Sequence, residues 1–280
     1  MTTQDTLRVG AMQMNARLGD VAGNLEQHRA MIDEARRDEL DLLVFPELSL
    51  TGYALGERVR EVAQPRDGAA LNELASIAGD MRVMVGFVES AGPGEYYNAI
   101  AVLAHGGVVA VHRKLNLPTY GGLEEGKWFH AGRELTFAQL AGGWQAAPLI
   151  CADLWNPALV HAAMLRRPDL LCAPINSASH IVSSGFSNED NWPLNLRFYA
   201  MTYGTPVIMA NRHGPEGDHH FWGGSQILGP RGERLASAGE GERLITATLS
   251  RADIARARFE LPTLRDANTP LIRDLLQQVP

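Results

Sequence analysis

The first half of the chain alternates between the hydrophobic period of a strand and that of a helix. Leu7 to Met14 alternates as a strand does, and Asn24 to Arg37 has its apolar residues at helical spacing. The alternation continues with an apolar run from Leu40 to Glu47, a helix from Ala69 to Asp80 and a strand from Arg82 to Ser90. Unbroken apolar runs are typical of strands that are covered on both faces.

Hairpins interrupt this alternation from about residue 92 onward. Two turn signals, Gly92-Pro93-Gly94 and His105-Gly106-Gly107, predict tight antiparallel connections. Helices that flank strands, with hairpins between them, predict a layered α/β protein that has a mixed sheet or two sheets face to face. The other predicted elements are the strands Tyr96–Ala104, Val108–Lys114, Gln145–Cys151, Asp169–Asn176 and Thr205–Asn211, the helices Asn156–Arg167 and Leu194–Tyr203, and the hairpin Gly223–Ser237.

Composition narrows the class of protein. The chain of 280 residues has a hydrophobic fraction of 45% and a net charge of -7, without a basic block, which disfavours nucleic-acid and membrane partners. No repeat or linker divides it, so we expect one domain over residues 1–280, with a core over about 7–258 and a less regular tail over 259–280. No signal-peptide pattern opens the sequence and it has only two cysteines, so a cytoplasmic location is expected.

Three predicted strands end in a side chain that is able to do chemistry: Glu47, Lys114 and Cys151. Each also has a purely structural explanation: Glu47 as a turn residue, Lys114 as a solvated side chain and Cys151 as a small buried hydrophobic residue. Together they supply a nucleophile, a base for its proton and an ammonium group for a developing oxyanion. The turn after Cys151 also offers main-chain N–H groups that favour a thiolate, whereas Cys172 lies within an apolar run and is expected in the core.

The motifs around these residues resemble the three signature blocks of the nitrilase superfamily of carbon-nitrogen hydrolases. The blocks are "VFPELSLTGY", "HRKLNLPTYGGLEEGKWF" and "LICADLWNPAL", and "PINSAS" and "FWGGSQILGPRGE" match the later pattern. The resemblance implies a four-layer α-β-β-α sandwich in which Cys151 is the nucleophile, Glu47 the general base and Lys114 the oxyanion stabiliser. It also implies a second glutamate, for which Glu125 is favoured over Glu124.

Within the superfamily, the chain is most similar in motif to the glutaminase domain of glutamine-dependent NAD synthetases. Two departures count against glutamine as the substrate: the sequence has no ATP-binding synthetase half, and Ala152 stands where a glutamate usually follows the cysteine. We therefore expect a free-standing amidase. Hydrolysis of N-carbamoyl amines stays open, because members with that activity also carry a Cys-x-Asp arrangement. A nitrilase is less favoured, because those members typically have Cys-Trp-Glu.

The resemblance also implies a small-molecule amide as substrate, no cofactor, no metal, and a homodimer or higher homo-oligomer. Tyr53 and Tyr120 match positions that bind substrate in the glutaminase relatives. The same loops add Trp128, Trp155, Asn176, Ser177 and Phe221 as pocket candidates, although ordinary packing explains Trp155 and Phe221 equally well.

Three alternative hypotheses to a Glu-Lys-Cys hydrolase remain. The segment "GDHHF" is a candidate metal site, but adjacent histidines point in different directions and a solvated loop is favoured. A Cys-His hydrolase would use His180 or His213 as the base for Cys151. A non-catalytic binding protein on the same scaffold would be expected to have lost one of the three reactive residues, and this sequence keeps all of them.

Overall fold

The computed structural model describes residues 4–279. Within these residues, fourteen strands form two six-stranded mixed sheets and one two-stranded hairpin. The strands are β1 (Thr6–Gln13), β2 (Leu42–Val44), β3 (Arg82–Gly92), β4 (Glu95–Ala104), β5 (Gly107–Arg113), β6 (Ala138–Gln139), β7 (Gln145–Pro148), β8 (Leu170–Ile175), β9 (Val207–Asn211), β10 (His213–Glu216), β11 (His219–Trp222), β12 (Gln226–Leu228), β13 (Arg234–Ser237) and β14 (Arg243–Ser250).

The first sheet has the order β14-β1-β2-β3-β4-β5 and the second β13-β12-β9-β8-β7-β6. In each sheet the central strands, β1 to β3 and β7 to β9, run parallel and the outer strands antiparallel. Within residues 4–279, β10 and β11 form a separate two-stranded sheet, and Phe221 of β11 makes one isolated bridge to Ala178. This arrangement brings the carboxyl ends of parallel strands together, where loops commonly carry functional side chains.

Eight α-helices accompany the sheets in the described part of the chain. Asp20 caps the first by accepting a hydrogen bond from the main chain of Gly23, and Ser187 caps the sixth in the same way. The helices are α1 (Val21–Arg37), α2 (Val59–Val62), α3 (Ala69–Ala78), α4 (Glu125–Trp128), α5 (Pro157–Met164), α6 (Asn188–Tyr203), α7 (Arg251–Glu260) and α8 (Thr269–Leu276).

The buried apolar residues form three main layers of packing, and these layers define the architecture. The inner faces of the two sheets meet in one cluster that includes Val9 and Val44 from the first sheet and Cys172 and Ile208 from the second. Helices α1 and α3 cover the outer face of the first sheet, and α5 and α6 cover the outer face of the second. The predicted four-layer α-β-β-α sandwich is therefore confirmed, and Cys172 is a core residue as expected.

Three local predictions differ from the structure. Helix α6 begins at Asn188 rather than after Pro193, because Ser187 caps it and the helix accommodates the proline in its second turn. The segment "GDHHF", expected to be a solvated loop, forms the turn and second strand of the β10–β11 hairpin. The tail, expected to be less regular, contains α8.

The helices described here are all short or polar by membrane standards. Between residues 4 and 279, no helix is both long and apolar enough to span a bilayer.

Candidate active site

The three strand ends singled out in the sequence meet at one end of the sandwich. Glu47 follows β2, Lys114 follows β5 and Cys151 follows β7, so two of the side chains come from the first sheet and one from the second. The side chains of Glu47 and Lys114 are fully buried, and Cys151 is half-buried. The fold thus brings together groups that are 67 and 37 residues apart in the chain.

The turn that carries Glu47 packs tightly against β3. A Cβ atom at Gly86 would lie 2.8 Å from the carbonyl carbon of Glu47 and would also collide with the main chain of Pro46 and Leu48. Leu48 itself has φ +47°, a left-handed conformation that is rare for a branched side chain. Only glycine at position 86 lets the main chains approach this closely, so β3 fixes where Glu47 points.

Lys114 lies between two buried carboxylates. Its Nζ atom donates hydrogen bonds of 2.6 Å to Oε1 of Glu47 and 2.6 Å to Oε1 of Glu125. Asn98 donates from Nδ2 to Glu47 Oε1 at 2.7 Å, and the Tyr53 hydroxyl donates to Glu125 Oε1 at 2.6 Å. Oε2 of Glu47 accepts no hydrogen bond from residues 4–279, which leaves that oxygen available to take a proton.

This arrangement settles which of the two adjacent glutamates reaches the cluster. Glu125 is buried in the first turn of α4 and contacts Lys114 directly. Glu124 is exposed and lies 3.8 Å from the ammonium group of Lys127. The glutamate favoured from the motif is therefore the one that the fold turns inward.

Burial and the neighbouring charges set the protonation of the cluster. Burial lowers the pKa of Lys114, but the carboxylates of Glu125 and Glu47 outweigh it, so the pKa lies well above its usual value and the group stays an ammonium. Burial raises the pKa of Glu125 to about 7, against the opposing influence of Lys114. Glu125 is therefore expected to titrate near neutral pH.

Cys151 occupies a strained turn. It opens a 3-10 helix over Cys151–Trp155, and its φ of +45° is a conformation that non-glycine residues rarely adopt outside functional sites. Burial raises the pKa of its thiol, Glu47 adds to the rise, and Lys114 lowers it only in part, so the net pKa lies well above the usual value. Lys114 thus lowers the pKa of the thiol, as expected from the sequence, but burial and Glu47 outweigh it, so the proton is left for a base to remove.

A small cavity of about 30 Å³ lies over Cys151. Five of the seven predicted pocket residues line it: Tyr53, Tyr120, Trp155, Asn176 and Ser177. The other lining residues are Pro118, Leu123, Ala152, Ile181, Val182, Asn188 and Trp192. Most of these side chains are apolar, and the cavity is small, which together favour a compact ligand.

Several of the lining residues already have protein partners. Asn176 donates from Nδ2 to the main-chain oxygen of Glu47 at 2.7 Å, but within the described chain its Oδ1 has no partner. The Ser177 hydroxyl accepts a hydrogen bond of 3.0 Å from Trp222. Trp155 packs at 4.7 Å between ring centroids against Trp192, and Tyr120 is 48% exposed at the mouth of the cavity.

Two other aromatic candidates lie outside this cavity. Phe221 is buried and packs edge-on against Tyr53, with ring centroids 6.2 Å apart, so it supports the wall rather than lining it. Trp128 lines a separate cavity of about 240 Å³ on the other side of Tyr53 and Glu125.

Two polar residues beside the cluster were not among the predicted site residues. Asn98, fully buried within the apolar strand β4, holds Glu47 in place. Asp153, two residues after Cys151, is fully buried and accepts three main-chain hydrogen bonds. An asparagine inside the apolar run "YYNAIAVLA" was the available signal for the first, because a buried polar side chain needs a partner.

The histidine alternatives gain no support from the geometry. His180 is exposed, and burial lowers the pKa of His213, as do the nearby charges of Arg212 and His220. The charged side chains that act on Cys151 are Glu47, Lys114 and Glu125. Among residues 4–279, no group of three or more His, Cys, Asp or Glu side chains is placed to hold a metal ion.

The cluster has the parts of a nucleophilic site. A thiol needs a base at the moment of attack when its own pKa is high, and the free oxygen of Glu47 is such a base. A buried ammonium that remains charged stabilises negative charge that develops on a nearby oxygen. The arrangement suits attack on a carbonyl or related carbon with a leaving group that must be protonated.

Comparison with known proteins gives a family match over most of the chain. The model of the carbon-nitrogen hydrolase family matches residues 8–259. A protein named "Hydrolase in pqqF 5'region" from Pseudomonas protegens is 31% identical over 274 residues, 96% of this chain and 92% of that protein. The N-carbamoylputrescine amidase of Arabidopsis thaliana is 26% identical over 92% of this chain and 91% of its own length.

Two further matches concern the resemblance to the glutaminase domain of NAD synthetases and the fold. The glutamine-dependent NAD(+) synthetase of Thermotoga maritima is 31% identical over 81% of this chain, but the match spans 39% of the synthetase, in keeping with a likeness to one of its domains. A mutant of the amidase of Nesterenkonia sp. AN1, solved with the acetamide moiety of fluoroacetamide bound covalently to the active-site cysteine, is 27% identical. It superposes with a TM-score of 0.82 over 98% of both chains.

Proposed function

The chain belongs to the carbon-nitrogen hydrolase family of the nitrilase superfamily, and on this premise we propose that it is an aliphatic amidase. It hydrolyses a small linear amide to a carboxylic acid and ammonia through a thioester on Cys151. The observation that carries the proposal is the buried cluster in which Lys114 bridges Glu47 and Glu125 beside Cys151.

In the acylation step, Glu47 removes the proton from the Cys151 thiol as the sulfur attacks the amide carbon. The carbonyl π bond becomes an oxyanion, held by the ammonium of Lys114 and the main-chain N–H of Ala152. The proton on Glu47 passes to the amide nitrogen, the carbon–nitrogen bond breaks, and ammonia leaves. The high pKa of the Cys151 thiol makes this base obligatory, because little thiolate is present beforehand.

In the second step, Glu47 removes a proton from a water molecule, which attacks the thioester carbon. The same two donors hold the second oxyanion, the carbon–sulfur bond breaks, and Cys151 recovers a proton as the acid departs. Glu125 and Tyr53 do not change bonds in this scheme. The Lys114 ammonium and the Tyr53 hydroxyl each donate a hydrogen bond of 2.6 Å to Oε1 of Glu125. These bonds hold the ammonium in place.

A compact acyl group fits the site best. The cavity over Cys151 is about 30 Å³, and apolar side chains such as Leu123, Ile181 and Trp192 form much of its wall. The unpartnered Oδ1 of Asn176 offers an acceptor for an amide N–H group. The covalent acetamide adduct of the Nesterenkonia amidase supports a substrate of this size.

Hydrolysis of an N-carbamoyl amine is the second candidate. It is supported by the likeness to N-carbamoylputrescine amidase over 92% of this chain, and it would use the same nucleophile and oxyanion donors. The substrate would then be a monosubstituted urea, and the products carbon dioxide, ammonia and an amine.

A panel of three substrate classes tests these proposals. We expect the purified protein to release ammonia from acetamide and propionamide, less from glutamine or an N-carbamoyl amine, and little from an aliphatic nitrile. Cys151→Ala should abolish the release, whereas Cys172→Ala, a matched change in the core, should retain it. Release from the carbamoyl compound alone would transfer the assignment to the second candidate. Activity in Cys151→Ala, or none in the unaltered protein, would refute the proposal.

The expected homodimer or higher homo-oligomer stays a prediction. Leu194, Phe198 and Met201 on α6 are 68%, 51% and 49% exposed, and they offer an apolar contact surface. Light scattering of the purified protein measures the state directly.

A further inference from the structure

Asp153 takes no part in the reaction described above, yet it is one of the most constrained polar side chains near the site. It is fully buried, and it does not line the cavity over Cys151. Its Oδ1 accepts hydrogen bonds from the main-chain N–H groups of Leu115 at 3.0 Å and Asn116 at 2.7 Å. Its Oδ2 accepts one from Ile150 at 3.0 Å.

These three donors flank two of the reacting groups. Leu115 directly follows Lys114, and Ile150 directly precedes Cys151. Lys114 extends a strand of the first sheet and Cys151 extends a strand of the second, so a single carboxylate joins the two sheets where the reaction takes place.

A carboxylate is suited to this role because it only accepts hydrogen bonds and has lone pairs for all three donors. An asparagine of the same shape has one acceptor oxygen, and its NH₂ group would face at least one main-chain N–H. The ring of His112, also fully buried, lies with Nε2 3.6 Å from Oδ2, close enough for its polar edge to face the carboxylate.

The strained main chain of Cys151 gives a second reason for such a restraint. A φ of +45° at a non-glycine residue persists only where surrounding contacts hold it. The hydrogen bond from Ile150 to Asp153 closes the turn from Ile150 to Asp153 that contains Cys151, because donor and acceptor are three residues apart.

We propose that Asp153 is a positioning residue that sets the separation between the ammonium of Lys114 and the sulfur of Cys151. The inference rests on the proposed function, in which that ammonium holds the oxyanion formed by attack of the sulfur. Loss of the carboxylate releases the lysine loop from the cysteine turn and leaves the side chains of both groups chemically intact.

The test compares Asp153→Asn with Asp169→Asn. Asp169 also accepts a main-chain hydrogen bond, from Gln145 at 2.8 Å, but at the opposite end of β7 from Cys151. A misplacement of about 1 Å at a reacting centre lowers rates by about a hundredfold. We therefore expect kcat to fall by about that factor in Asp153→Asn, and by less than about twofold in Asp169→Asn, when both variants are compared at temperatures equally far below their midpoints of unfolding.

A second readout does not depend on the substrate. The rate of alkylation of Cys151 by iodoacetamide is measured against pH, with Cys172 as the internal reference. Lys114 lowers the pKa of the Cys151 thiol, so a lysine that has moved away should shift the alkylation profile of Asp153→Asn to higher pH. If the unaltered protein turned over no amide but this shift appeared, the proposed function would fail and the positioning role would stand.

Three results would overturn the inference. The first is a folded Asp153→Asn variant with unaltered kcat and an unaltered alkylation profile. The second is an equal loss of kcat in Asp169→Asn. If Asp153→Asn does not fold, Asp153→Ser serves instead, because its smaller side chain leaves room for water to accept the freed N–H groups. Failure of both variants to fold would be the third, since it assigns Asp153 to stability alone.

Discussion

The raised pKa of Glu125 predicts that this residue reduces stability at neutral and alkaline pH. Burial raises its pKa from 4.5 to about 7 in the folded state. When the pKa of a carboxyl group is higher in the folded than in the unfolded state, the group does not lower the unfolding free energy at pH values below the unfolded-state pKa. The unfolding free energy then falls as the pH rises from the unfolded-state pKa through the folded-state pKa. Glu125→Gln keeps the shape of the neutral acid and cannot ionise, so it should escape this loss.

The magnitude follows from the two pKa values. At about 1.36 kcal/mol for each unit of pKa, a rise from 4.5 to about 7 amounts to about 3 kcal/mol of unfolding free energy. Linkage places most of that change between pH 5 and pH 8. We expect Glu125→Gln to be within about 1 kcal/mol of the unaltered protein at pH 5 and more stable by about 3 kcal/mol at pH 8.

Urea unfolding followed by circular dichroism at pH 5, 6.5 and 8 measures these differences. Glu124→Gln is the matched control, because Glu124 precedes Glu125 but is exposed, and its effect should stay near zero at each pH. The stabilised variant should also be a poor enzyme, because Lys114 loses one of its two carboxylate partners. A stability difference that does not change with pH, or one that favours the unaltered protein at pH 8, would refute the reasoning.

Three further predictions concern contacts that support the site. Gly86→Ala should displace the turn that carries Glu47, lower kcat and reduce the unfolding free energy by about 1–3 kcal/mol. Gly92→Ala on the same strand should change neither quantity. Ammonia release measures the first effect and urea unfolding the second. Glu216→Gln should cost about 3–5 kcal/mol in urea unfolding, because it breaks a buried ion pair with Arg212, and an effect within about 1 kcal/mol would contradict that. Tyr53→Phe should move the pH dependence of stability to higher pH, because it removes the hydrogen bond from the Tyr53 hydroxyl that lowers the pKa of Glu125. A shift to lower pH would contradict this prediction.

Much of the site was predictable because its signals are local. Glu47, Lys114 and Cys151 each follow an apolar run, and the end of a strand is marked within a few residues by proline, charge or a helix cap. The layered architecture followed from the same alternation of periods. The prediction began helix α6 at Leu194, and the cap at Ser187 shows that it begins before Pro193.

The sequence by itself therefore determined which reactive side chains stand at strand ends and which family they resemble. Tertiary structure alone decided their chemical state, because the pKa of Cys151 depends on burial and on charges that arrive from the other sheet. It also decided that Glu125 rather than Glu124 reaches Lys114, since neighbours in a short helix point in different directions. The partners of Asn98 and Asp153 also came only from the fold, because hydrogen bonds between elements far apart in the chain leave no periodic pattern in the sequence. The asparagine within an apolar run signals that a partner is needed, but not which residue it is.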